Sequence, residues 1–319
     1  MVYLVAPDPN SFISGGNIFN QQILDGFASL NIQHERIVFE DCFEYCTHPK
    51  DTLIFDSIYF DDLTIEFVKG IRAKKCFLIH LLPSMLGDDI VLSKEKPLLH
   101  CFDTILANSQ YTCDYLMEKM GGFKSIVIVQ PFIKLFVSDQ NNSSKKRIIH
   151  VANWSPSKQI DLLLSEMAIQ SLPQNLIIYF YGDSQRDQHY FNSCKEILDS
   201  NPKLSKHVMI MGSINHDQLV QLYEDATLLI DTSAMETYGM AVAEALINNI
   251  PVLSLGNGNV KHLIQRNNGI ICSNMKELIF QLIKYSNDEI QLSTVRLNQD
   301  HIIFDWNKFL IQFKSFHAV

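Results

Sequence analysis

The sequence predicts an α/β protein with two doubly wound parallel sheets. Three observations lead there. Apolar runs of strand length alternate with segments of helical period along the chain, as they do where helices cross over a parallel sheet. The alternation halts at a polar stretch, SDQNNSSKKR (138–147), which reads as a linker, and then begins again. A chain of 319 residues, 47% of them apolar, is also long enough to bury two cores.

In the first half the expected strands are VYLVAP (2–7), RIVF (36–39), SIYF (57–60), CFLIHLL (76–82), TILAN (104–108) and IVIVQP (126–131). Helices are expected over 17–30, 64–73 and 110–120. The second half continues with RIIHVAN (147–153), LIIYFYG (176–182), VMIMG (208–212), TLLIDTS (227–233) and PVLSL (251–255). Its helices are expected near 158–171, 187–199, 216–225 and 239–248. The domains are placed at 1–140 and 141–295. A terminal helix within 296–319, FDWNKFLIQFKSF, is expected to pack back on the first domain.

A net charge of −9 and a pI near 5.6 argue against bulk nucleic acid or an anionic membrane as the main partner. The basic tract SSKKR reads as part of a solvated linker. MVYLVAPDPN reads as a first strand rather than a signal peptide, since no basic region precedes its short apolar run. No stretch approaches the roughly 18 uninterrupted apolar residues of a membrane span. The seven cysteines are scattered, with only Cys42 and Cys46 close together, which suits reduced thiols in a cytoplasmic protein. Membrane contact is expected to be peripheral at most, at the inner face.

Hydride transfer and ATP hydrolysis lose ground because the chain has neither an early G-x-G-x-x-G turn nor a P-loop. GNGN at 256–259 lacks a third glycine and comes late. There is no D-x-D pair to hold a metal-bound diphosphate, so no metal or other cofactor is expected.

Several strand-to-loop junctions do carry polar residues or glycine, where open α/β sheets bind ligands. Gly15 and Gly16 precede a helix, as an anion-binding turn or a plain tight turn. Lys158 stands at a helix start, where the helix dipole disfavours a cation unless an anion joins it. DTSAMETYGMAVAEALINNIPVLSL (231–255) is more informative. Thr232 and Ser233 follow a strand, Glu236 lies in the turn, and Gly239 opens a helix where a ligand can approach the backbone closely. Eight residues of ideal helix turn about 800°, which would leave Glu236 and Glu244 about 80° apart. Glu236 lies before the helix, so the two glutamates can reach different parts of one ligand.

This segment resembles the E-x7-E signature of retaining glycosyltransferases of the GT-B type, family 4 in particular. FISGGNIFNQQIL resembles that family's N-terminal glycine loop, FLIHLLP its histidine-bearing strand, and ILANSQYTCDYL its serine-bearing strand and following helix. VANWSPSKQIDLLL resembles the opening of its nucleotide-binding domain. The resemblance spans most of the chain and is densest from about 208 to 270. It implies a GT-B fold, two Rossmann-like domains facing each other across a cleft, with the acceptor bound mainly by the first and a nucleotide sugar by the second.

By the family pattern, Glu236 lies near the donor sugar and Glu244 binds the ribose. Thr237 joins the donor site, and backbone amides around Tyr238, Gly239 and Met240 face the diphosphate, with Lys158 as its cation. Gly15 and Gly16 close on the phosphates, His80 sits near the reacting centre, and Gly212 and Ser213 lie by the base. The resemblance thus implies a metal-independent hexosyl transfer from a UDP- or GDP-sugar to a glycan, lipid-linked or protein acceptor. A lysine and a helix N-terminus can stabilise the leaving diphosphate without an ion.

The chain departs from the pattern in two respects. The family usually places an arginine ahead of its lysine, in a G-R-L-x-x-x-K-G-like run; here the corresponding residues are Asn153 and Trp154, and Gln159 replaces the last glycine. Asn153 is still assigned to the donor site, with Lys261 or Arg186 as a compensating charge. At 319 residues the chain is short for the family, which puts elements shaping the acceptor site in doubt. Two other readings share the fold: a non-catalytic partner subunit, favoured by Asn153, and an epimerase acting on a nucleotide sugar. His150 reads as a strand histidine.

Overall fold

The structure is a computed structural model, and it describes residues 1–8, 14–133, 146–214, 216–265 and 268–292. It divides into two compact units, with the division after Phe132. Most of the expected linker and all of the terminal helix over 296–319 lie outside the described residues.

The first unit holds a parallel six-stranded sheet: β1 (Val2–Val5), β2 (His34–Ile37), β3 (Thr52–Asp56), β4 (Lys74–Ile79), β5 (Thr104–Ala107) and β6 (Ile126–Ile128). Its spatial order is β2-β1-β3-β4-β5-β6. The helices are α1 (Gly15–Ser29), α2 (Ile65–Gly70), α3 (Asp89–Leu99) and α4 (Gln110–Lys119). Ser14 caps α1, its hydroxyl accepting from Asn17 N at 3.1 Å, so Gly15 and Gly16 belong to the first helical turn rather than preceding it. Phe19, Ile23 and Phe27 of α1 pack on Leu4, Ile54 and Leu78 of the sheet.

SIYF is not a strand. The third strand is the preceding TLIFD, buried at all five positions and hydrogen-bonded to β1 and β4 on its two sides. It ends because the Asp56 carboxylate accepts from Ile58 N at 2.8 Å, turning residues Ser57–Asp62 into a 3-10 helix. RIVF likewise stops early, at Ile37, and Phe39–Glu44 form a 3-10 helix.

The second unit has β7 (Ile148–Val151), β8 (Ile178–Tyr181), β9 (Val208–Gly212), β10 (Leu228–Asp231), β11 (Val252–Ser254) and β12 (Gly269–Ile271). All are parallel, in the order β12-β11-β10-β7-β8-β9. Its helices are α5 (Ile160–Ala168), α6 (Gln188–Asp199), α7 (His216–Asp225), α8 (Met240–Ile247), α9 (Val260–Leu263) and α10 (Met275–Ser286). One face of the sheet packs Ile160, Leu163 and Leu164 of α5 with Leu278 and Leu282 of α10; the other packs Val242 and Leu246 of α8 with Leu222 and Tyr223 of α7. The chain leaves β7 in one direction through β8 and β9 and returns to β10 on its other side. The carboxyl ends of β7 and β10 therefore flank a topological switch point, where open sheets of this kind bind ligands.

Candidate functional site

Lys158 and Glu236 meet at that switch point. After β7 the chain runs through Asn153 and Trp154 into a three-residue 3-10 turn, Pro156–Lys158, started by proline at its first position. Gln159 follows at φ 51°, in the left-handed region. This is the position where a glycine was expected, and the backbone keeps a conformation that glycine adopts without strain.

After β10, Thr232 and Ser233 are buried and the turn rises to Glu236. The Lys158 ammonium forms an ion pair with Glu236 Oε1, and Ser233 Oγ donates to the same oxygen at 2.8 Å. Burial works against the lysine charge, but the Glu236 carboxylate more than offsets it and holds the ammonium above the usual lysine range. Asp231 at the strand end is buried, its carboxylate accepting from Ser254 Oγ at 2.7 Å and Ser233 N at 3.2 Å. Burial, with the Glu236 charge, raises its pKa.

GNGN, set aside above as a nucleotide fingerprint, supports this turn from beneath. Asn259 N donates to Glu236 O at 2.7 Å, and Asn259 Nδ2 donates to Tyr238 O at 2.8 Å. Gly258 packs so tightly that an added Cβ would lie 2.2 Å from Glu236 O. Gly239 then opens α8 at φ 85°, where a Cβ would come within 3.0 Å of Val260. Among the described residues no side chain caps α8, so its first-turn N–H groups are suited to an anion. Thr237 and Tyr238 are buried, and Met240 is the first helical residue.

Glu244 sits one turn further along α8. Its Oε2 accepts from Tyr223 OH at 2.8 Å, and burial pushes its carboxyl up to about 7 while the tyrosine bond pulls it back. The expected cation position behaves differently. Trp154 is a core residue, packed edge-on against Phe191 with ring centroids 5.0 Å apart. Asn153 turns its Oδ1 to accept from Asp183 N at 2.9 Å, bracing the loop after β8. Arg186 lies on that loop, and its charge works against that of Lys158. Gly212, at φ 77°, ends β9 and is followed by Ser213, and Gly212 O accepts from Gly182 N at 3.0 Å. Lys261 lies in α9.

The remaining expected residues gather in the first unit. His80 follows β4, and a Cβ added to Gly16 would come within 3.4 Å of its ring. His80 Nε2 faces Asp56 Oδ2 at 3.2 Å and Asn20 Oδ1 at 3.0 Å, while Asn20 Nδ2 donates to the same Asp56 oxygen at 2.6 Å. Sequence reasoning missed Asp56, Asn20 and Tyr223. The available signal was that TLIFD and TLLID each end an apolar strand in aspartate. Among the described residues no group of three or more His, Cys, Asp or Glu could hold a metal ion, and no helix is long and apolar enough to cross a membrane.

Two parallel six-stranded sheets with helices packed on them make this a GT-B fold, with polar residues at the switch point of the second sheet. The profile of the family described as glycosyl transferases group 1 matches residues 132–299, more than half of the chain, and the chain belongs to that family. It is similar to the poly(ribitol-phosphate) alpha-N-acetylglucosaminyltransferase of Staphylococcus aureus (strain COL), 26% identical over 169 residues, 50% of this chain and 33% of that protein. It is also similar to a human GDP-Man:Man(3)GlcNAc(2)-PP-Dol alpha-1,2-mannosyltransferase, 21% identical over 174 residues, 50% of this chain and 35% of that one. The matches thus span about a third of these relatives' lengths. Among solved structures, sucrose-phosphate synthase from Thermosynechococcus elongatus superposes with a TM-score of 0.74 at 16% identity, covering 99% of both chains. Anabaena HepE in complex with UDP-glucose gives 0.74 at 16%, covering 100% of this chain and 99% of that one.

Proposed function

We propose that this chain is a retaining glycosyltransferase that moves a hexosyl group from a UDP- or GDP-sugar to a glycan, lipid-linked or protein acceptor, without a metal. The observation that carries the reading is the Lys158–Glu236 pair at the switch point of the second sheet, beside the uncapped start of α8. A leaving nucleoside diphosphate develops negative charge as the glycosidic bond breaks. In this reading Lys158 and the α8 amides stabilise that charge, which is where catalysis of this kind gains most. Glu236 orients the sugar hydroxyls, and Glu244 accepts from the ribose. Tyr238, Gly239 and Met240 present backbone, Thr237 shapes the turn, and Gly212 and Ser213 border the base.

Gly15, Gly16 and His80 belong to the acceptor domain's share of the chemistry. The relatives support both donor classes: HepE has been solved in complex with UDP-glucose, and the human relative is named for GDP-mannose. A cytoplasmic location with at most peripheral membrane contact fits a lipid-linked acceptor.

Thermal shift against UDP, GDP, ADP and their sugars tests the donor, since ligand bound to the folded state raises stability. The expected result is stabilisation by one nucleotide diphosphate, and transfer from its sugar with the anomeric configuration kept. An inverted product would overturn retention. A second reading, a non-catalytic subunit, draws on Asn153, whose carbonyl is committed to Asp183 N. It predicts nucleotide binding without transfer to any acceptor.

A further inference from the structure

We infer that His150 and Thr232 are positioning residues, which fix Lys158 through a hydrogen-bond chain of set direction ending on its main-chain carbonyl. The inference rests on the reading of Lys158 as the cation of the diphosphate site.

The donors dictate the direction. Thr232 has one hydroxyl proton, and its Oγ1 donates to Lys158 O at 2.6 Å, since a carbonyl can only accept. That proton is committed, so Oγ1 must act as acceptor towards His150 Nε2, 3.1 Å away. Nε2 therefore carries the N–H, and in a neutral ring Nδ1 is bare. The surroundings agree. Among the described residues Nδ1 is buried without a partner, so a second N–H there would lie without an acceptor. Burial first, and the Lys158 charge second, push the imidazole down to about 3, so the ring is neutral at physiological pH. Phe180 stacks on it, with centroids 5.1 Å apart, and holds its plane.

Lys158 needs such an anchor. It ends a three-residue turn and precedes the left-handed Gln159, so local structure fixes it weakly. Ala234 N donates to Ser157 O at 2.8 Å on the same turn. Together the Thr232 and Ala234 contacts tie the turn to the end of β10, the segment that delivers Glu236. A neutral imidazole does this without adding a second cation that would compete with Nζ for Glu236.

The probe is whichever of UDP, GDP and ADP the protein binds most tightly, its Kd measured by calorimetry. Thr232→Val, nearly isosteric, should weaken binding about 3- to 10-fold, and Thr232→Ser should restore it. If the valine variant does not fold, Thr232→Ala takes its place. His150→Gln, whose amide can donate where Nε2 does, should bind more tightly than His150→Leu. Because the chain acts through the lysine, Thr232→Val should have no further effect in a Lys158→Ala background. Equal weakening in both backgrounds, or none in either while Lys158→Ala alone weakens binding, overturns the inference and leaves the site reading standing. Unchanged affinity in Lys158→Ala takes down both.

Discussion

The imidazole of His80 is paired with a buried carboxylate on the neighbouring strand, its Nε2 3.2 Å from Asp56 Oδ2. Burial alone would raise the pKa of Asp56. His80, Asn20 Nδ2 and Ile58 N together outweigh burial and bring it below the ordinary value, so the aspartate is ionised. An ionised Asp56 and the Asn20 carbonyl both accept, which makes Nε2 the donor and sets the ring plane.

If His80 acts in transfer, Asp56 acts through it. Asp56→Asn should then lower kcat by about 10-fold with little change in donor KM. The double variant with His80→Ala should be no slower than His80→Ala alone. Additive losses in steady-state kinetics would show that the two residues work separately.

Gly258 offers a test of the support beneath Glu236. With φ at 68° and an added Cβ falling 2.2 Å from Glu236 O, Gly258→Ala must move the turn. The expected cost is about 1–3 kcal/mol in chemical denaturation. The effect on transfer should exceed that, because Glu236 shifts with the turn. An alanine variant as active as the parent would mean that this turn tolerates displacement.

Glu244 should make stability and binding oppose each other. Its carboxyl is raised from an ordinary 4.5 to about 7, so between those values the folded protein holds a proton that the unfolded chain has released. Its contribution is complete below about 4.5 and is lost as pH rises through 7. Glu244→Gln should therefore stabilise the ligand-free protein at pH 8 by up to about 3 kcal/mol and leave it nearly unchanged at pH 4. It should also weaken nucleotide binding. Melting curves across pH check the first statement and calorimetry the second.

Gln159→Gly should be neutral or stabilising by up to about 1 kcal/mol, since it relieves a left-handed residue although glycine adds unfolded-state freedom. Urea midpoints decide this, and a clear loss of stability would point to an unrecognised role for the glutamine side chain.

Much of this architecture was legible because strands buried on both faces are written as apolar runs and cannot be mistaken for loops. The same property hid the register. TLIFD and SIYF are adjacent and both apolar, and only the carboxylate of Asp56 folding back on Ile58 N distinguishes the strand from the turn. Helix α3 was missed because Pro97 lies inside it, although Asp88 caps its start by accepting from Ile90 N and Val91 N. At the candidate site, Lys158 could be singled out because it stands at an expected helix start, and Glu236 because it lies in the turn between a strand and a helix. Their partners could not. Asp56, Asn20 and His80 are brought together across 60 residues, and Tyr223 meets Glu244 from another helix. Such pairings follow from topology and leave no periodic trace.

The ion pair between Lys158 and Glu236 also has a consequence for selectivity among anions. An arriving anion finds the ammonium already satisfied and must displace a carboxylate that Ser233 Oγ holds in place. Chloride or a single phosphate brings too few contacts to win that exchange in a half-buried setting. A ligand that engages the α8 amides and offers Glu236 hydroxyl groups in return loses nothing by it. The pair would thus disfavour small ions that reach Nζ alone, favour ligands that also engage the α8 amides, and favour most those that bring hydroxyl groups for Glu236 as well.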